Sequence, residues 1–213
     1  MHLQIAGLSP VLGLLFLVGA QTADAQMWEF PDYAVPSSFG APSTFVAGTY
    51  GRGLNDDSGE LDAFGAVVGR TGESVSVMGG LGLVSGGGDD EVTFGGAVGV
   101  DVFQGEPATV SLQGGIGWMS PGDVTLLRFP IGVAIKGRAG SSDTRITPWA
   151  MPRLNITRLS TDGFSDTVTD FGASAGVSFT FAGGFGVHTA LDVLFADGGE
   201  PFLFGMGAHY VIE

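Results

Sequence analysis

From Ser43 onward, large apolar residues alternate with small or polar ones at a period of two, in runs longer than ordinary globular strands. Between Glu91 and Phe103, Val92, Phe94, Val98, Val100 and Val102 share one face, while Thr93, Gly95, Ala97, Gly99 and Asp101 share the other. Successive side chains of a strand point to opposite sides, so each run has one apolar face and one small or polar face. The pattern returns in 169–181, 185–195 and 202–212, where Phe202, Phe204, Met206 and Tyr210 oppose Gly205, Gly207 and His209. Ten such strands are predicted, over 43–54, 61–70, 74–84, 91–103, 108–119, 123–138, 144–159, 168–181, 185–195 and 202–212. Eight is the alternative count, because the faces of the first two are ambiguous. Globular strands are typically about 5–6 residues long, whereas a tilted strand that crosses a bilayer needs about 9–11.

The connections alternate as well. Arg70–Glu73, Gln104–Pro107, Gly140–Asp143 and Ala182–Gly184 are tight turns; 55–60, 85–90, 161–167 and 196–201 are longer and acidic. Aromatic residues bracket the strands: Phe94 and Phe103, Phe171 and Phe181, Phe185 and Phe195, Phe202 and Tyr210. Short turns on one side, longer loops on the other and aromatic girdles at both ends are the layout of a barrel in a membrane. A soluble sandwich would put its large residues inside and its charges outside. Here the charges share a face with glycine and serine, which suits a lipid-facing exterior around a narrow lumen. The predicted fold class is all-β: a transmembrane antiparallel up-and-down β-barrel.

Composition agrees with this architecture. Glycine contributes 38 of 213 residues, and in a small barrel inward glycine relieves crowding and permits strong coiling. There is no cysteine, hence no disulfide framework. A net charge of −14, with only 8 basic residues, argues against nucleic-acid binding, which needs clustered Lys and Arg. The apolar run around Leu12–Val18, followed by Ala23-Asp24-Ala25, predicts a signal peptide over residues 1–25. Residues 26–42 are rich in proline and aromatics without a period, and read as an extended N-terminal arm. The barrel domain is then 43–213.

Taken together, these features resemble the small outer-membrane β-barrel proteins of Gram-negative-type bacteria, over residues 43–213 and the signal peptide. The resemblance rests on pattern, with no diagnostic motif. It implies location in the cell outer membrane with lipid as the surrounding partner, and it names no activity.

Candidate functional residues fall in two groups. Asp101, Arg128, Lys136, Arg153, Asp170, His188, Asp192 and His209 are predicted to face the lumen as a polar cluster. Mixed signs suit either a salt-bridged plug or a narrow, porin-like pore. Pairing Phe195 with Phe202 sets His188 opposite His209. Two imidazoles rarely suffice for a metal site, so a structural pair is expected. Asp56, Asp57, Glu60, Asp89, Asp90, Asp162, Asp166, Asp197 and Glu200 gather on the loop end. Such oxygen-rich loops suit solvation, or weakly bound divalent cations bridging anionic headgroups. No phosphate-binding loop, dinucleotide fingerprint or zinc-protease motif occurs. The expected function is therefore a structural or narrow-pore role without catalysis or cofactor. The alternative is binding of a periplasmic or cell-surface partner, of unknown identity, through the arm or the acidic loops.

Overall fold

A computed structural model describes residues 42–59, 61–86 and 90–212. Ten long antiparallel strands run through them: β1 (Ser43–Gly53), β2 (Asp62–Thr71), β3 (Val75–Ser85), β4 (Glu91–Gln104), β5 (Ala108–Met119), β6 (Thr125–Gly137), β7 (Thr144–Thr161), β8 (Phe164–Phe181), β9 (Phe185–Phe195) and β10 (Phe202–Ile212). The short stretch Ala139–Gly140 continues β6 along the start of β7. Each strand pairs with the next, and β1 pairs with β10, so the sheet closes on itself. Closure satisfies every strand edge, a condition for backbone that sits in lipid. The signal peptide and all of the arm except Pro42 lie outside the described residues, as do Glu60 and Asp89.

The period of two sorts the wall as expected. On β4, Val92, Phe94, Val98 and Val100 are exposed, while Thr93 and Gly99 are buried. Phe103 belongs to the wrong parity for the outer face, yet both Val102 and Phe103 are exposed. A register shift between Asp101 and Phe103 resolves this. The bulge adds one residue, keeps Asp101 inward and turns both apolar neighbours out. Rings on adjacent strands stack on the exterior: Phe94 with Trp118 at 4.8 Å, and Phe171 with Phe195 at 5.9 Å.

One predicted loop is not a loop. The 161–167 connection is a tight turn at Asp162–Gly163, where Gly163 has φ +86°, a value that favours glycine. Strands β7 and β8 run 18 residues each, so Asp166 sits on a strand in a hairpin that rises past its neighbours. Near the tip Ser165, Asp166 and Thr167 are polar and exposed on both faces, which removes the alternation by which these strand ends could be recognised.

The loop end is tied together by Asn55. It caps the short 3-10 turn Asp56–Ser58, and its Oδ1 accepts from the backbone N–H of Ser58 at 3.2 Å and of Phe202 at 3.0 Å. Its Nδ2 donates to the Glu200 carbonyl at 2.8 Å. The Asp57 carboxylate accepts from the Glu200 N–H at 2.9 Å. The first and last loops are thus joined across the β1–β10 seam.

Candidate functional site in the barrel interior

Strand β7 gives the order of the interior. From the turn end upward its inward residues are Trp149, Met151, Arg153, Asn155, Thr157 and Leu159, all buried. The first two are apolar, the next three polar, the last apolar. Neighbouring strands share the upper apolar layer, but at the turn end they set polar side chains such as Lys136 and Ser111 on the level of Trp149 and Met151.

The uppermost layer is an apolar seal. Leu61, Ala63, Val84, Met119, Leu126, Leu159 and Leu203 form one cluster, with Val124 against it. None of the seven exceeds 6% exposure. They come from β2, β3, β5, β6, β7 and β10 and the residue preceding β2, so they converge from around the circumference. This departs from the expected sorting of each strand into one apolar face and one small or polar face. Traces of it stand in the sequence. Leu203 lies between Phe202 and Phe204, and Leu126 precedes Leu127, so the alternation lapses where both faces are buried.

Below the seal lie the charges. The Arg128 Nε donates to Thr157 Oγ1 at 3.2 Å, and Asp170 lies within electrostatic reach of this guanidinium. At mid-height the Arg153 Nη2 meets Asp192 Oδ1 at 2.8 Å, with both side chains excluded from solvent at 0% and 1% exposure. Arg153 also donates to Ser174 and Asn155, each at 3.3 Å. A buried charge is tolerable only when paired and hydrogen-bonded, and here one guanidinium has three partners, on its own strand and on the next two strands along the barrel, β8 and β9. Nearer the turn end Lys136 pairs with Asp101 at 3.6 Å, and Asp101 also accepts from Ser111 and Gln104.

His188 and His209 differ from the expected register. Phe185 pairs with Tyr210, so His188 lies opposite Gly207 and His209 opposite Gly186. The imidazoles meet diagonally. Their Nδ1 atoms are 3.2 Å apart and their ring centres 5.5 Å apart. A nitrogen lies about 1.2 Å from its ring centre, so both nitrogens sit on the line joining the centres. That is the geometry of one N–H···N hydrogen bond, with one ring donating and the other accepting. A metal on that line would be about 1.6 Å from each nitrogen, against about 2.0–2.1 Å for a Zn–N bond. The second nitrogen of His209 lies 2.9 Å from Thr180 Oγ1. The register differs because the Ala196–Gly199 connection is tighter than a simple Phe195–Phe202 hairpin, with Ala196 bridging to Gly199.

The inward glycines relieve crowding beneath specific side chains. A Cβ on Gly207 would meet His188 Nε2 at 2.5 Å, and one on Gly176 would meet Trp149 Cζ2 at 2.7 Å. A Cβ on Gly172 would meet the Arg153 guanidinium at 3.3 Å. Trp149, Arg153 and His188 thus each lie over a glycine of a neighbouring strand. The acidic residues Asp56, Asp57, Asp90, Asp162, Asp197 and Glu200 all belong to connections at the loop end, where Asp57 is already engaged by Glu200.

No protein-family model matches the chain, and no curated protein matches it. Solved structures do resemble it. The β domain of the Bordetella autotransporter BrkA superposes with a TM-score of 0.53 at 14% identity, over 80% of this chain and 99% of that one. More distant in shape are the translocator domain of the autotransporter NalP from Neisseria meningitidis and the N-terminal β-barrel of Pseudomonas aeruginosa OprF. The first has a TM-score of 0.45 at 12% identity, over 96% of this chain and 99% of that one. The second has 0.39 at 14%, over 80% and 97%. The fold is that of the bacterial outer-membrane β-barrels.

Proposed function

We propose that the chain spans the bacterial outer membrane as a sealed barrel with a structural role, without conducting solutes and without catalysis. The apolar exterior is the wall such a protein presents to lipid. The observation that carries the reading is the layered interior: seven converging apolar side chains above a solvent-excluded Arg153–Asp192 pair. An apolar constriction disfavours a continuous water column, and inward charges of opposite sign that engage one another give a passing ion no single-sign ring to follow. The acidic loops face the cell exterior in this reading, and the tight turns face the periplasm.

Reconstitution into a planar bilayer tests it. The sealed barrel gives no stable conductance steps above the lipid background; regular open-channel steps from the purified chain would favour the narrow pore instead. A small tag at Asp57 should be reached by surface labelling of intact cells, and one at Gly72 should not.

A further inference from the structure

On the outside of the barrel, across β10, β1, β2 and β3, the wall falls back. Ala208, Gly48 and Ala66 lie side by side in register, and Gly79 follows on β3, beside Val68 and one step nearer the turn end. Exposed Tyr210 and Leu81 stand around them, and the depression holds about 750 Å³ with an almost wholly apolar lining. A Cβ on Gly48 would meet nothing within 4 Å. In a membrane such a groove faces hydrocarbon, and an empty one forfeits dispersion contacts along its whole lining. Across its four strands it measures about 15 Å, at the usual spacing of neighbouring strands.

A charge stands at its turn-side end. Arg70 is the next outward residue of β2 after Val68, it is exposed, and its cross-strand neighbours are Thr44 and Val77. Arg52, at the loop end of the same strand pair, faces Asp62 across the ladder. One outward arginine therefore has a carboxylate opposite it and the other has none. A guanidinium at a membrane interface keeps its stem along the apolar wall and its head at the level of the phosphates, which its planar fork matches.

We propose that this groove binds one glycerophospholipid of the turn-side leaflet, with an acyl chain over Gly48, Ala66 and Gly79 and the phosphate on Arg70. The proposal rests on the membrane-spanning reading, but not on whether the lumen conducts.

Native mass spectrometry of the full chain, folded in detergent micelles, tests it with phosphatidylglycerol and an uncharged diacylglycerol of the same chains as probes. Heat-modifiable migration reports folding of each variant. The wild type should hold one phosphatidylglycerol, about tenfold more tightly than diacylglycerol, as expected for one charge-assisted contact. Gly48→Leu should weaken both lipids about tenfold by filling the groove. Arg70→Gln should remove only the preference for the phosphate. Equal lipid retention by folded wild type and Gly48→Leu would overturn the groove assignment, and an intact preference in Arg70→Gln would overturn the phosphate site. A two-chain species abolished by Gly48→Leu would also overturn the proposal, assigning the groove to a second copy.

Discussion

The interior of this barrel is filled in two ways. Towards the loops, apolar side chains from six strands and from Leu61 just before β2 meet one another. In the rest of the lumen, long or ringed side chains lie over glycines: Trp149 over Gly176, Arg153 over Gly172, His188 over Gly207. The first region is a small hydrophobic core enclosed by a membrane protein. Its contribution scales with buried area and is tolerant of shape. The second depends on specific pairs, since each polar group needs its own partner and each large side chain its own missing Cβ. The two regions should therefore fail differently.

The largest effect is expected in the charged layer. Asp192→Ala leaves the Arg153 guanidinium without its carboxylate, at a cost of about 3–5 kcal/mol. The double substitution Arg153→Leu with Asp192→Leu should cost less than Asp192→Ala alone, because no uncompensated charge remains. Urea titration of the folded barrel in detergent checks both. A double variant worse than the single one would mean that the pair contributes more than its own desolvation cost.

Truncation in the seal comes next. Leu126→Ala and Leu203→Ala each remove a side chain that is 1% exposed, and should cost about 2–5 kcal/mol as cavities. Leu203→Met should cost under about 1.5 kcal/mol, because apolar packing accepts a swap of similar volume. Equal damage from Met and Ala would show that the seal is as shape-specific as the layers beneath it.

The glycine seats should give a smaller but position-specific loss. Gly176→Ala puts a methyl against both Trp149 and the Thr189 carbonyl, and overpacking of this kind costs about 1–3 kcal/mol. Gly48→Ala, whose added methyl meets nothing, should lie within about 0.5 kcal/mol of wild type by the same titration. The smallest effect is at the imidazole pair. His188→Gln exchanges one neutral hydrogen bond for another and should cost about 1 kcal/mol or less. Zinc should leave the melting of wild type and His188→Gln alike, since the in-line nitrogens leave no room for it. A rise in melting temperature with zinc that the substitution abolishes would show that the rings rearrange into a chelate.

The difference between the regions also explains what could be read from sequence. Lipid on one side and a lumen on the other impose a strict period of two, so the strand count and the inward parity of Asp101, Arg153, His188 and Asp192 were legible. The seal was not, because inward leucines look like outward ones once parity no longer separates apolar from polar, as at Phe202-Leu203-Phe204. The histidine register differs by two residues from the simple Phe195–Phe202 pairing, since it is set by how the 196–201 connection folds. Parity survives a shift of two, which is why both rings still face inward. Only the tip of the β7–β8 hairpin, 161–167, reads as a loop, because above the bilayer its two faces no longer need to differ. Which glycine seats which side chain depends on neighbouring-strand register, and a single strand does not carry that information.

The sealed lumen can be measured directly by thiol accessibility, because the chain contains no cysteine. Ser174→Cys places one thiol beside Arg153 in the buried charged layer, and Gly163→Cys places one at the tip of the β7–β8 hairpin. With a water-soluble maleimide added to the barrel in lipid vesicles permeabilised to expose both sides, a sealed lumen predicts rapid labelling at 163. It predicts no labelling at 174 until the barrel is unfolded. Labelling of 174 in the folded barrel at a rate comparable to 163 would contradict it, showing that water reaches the middle of the lumen.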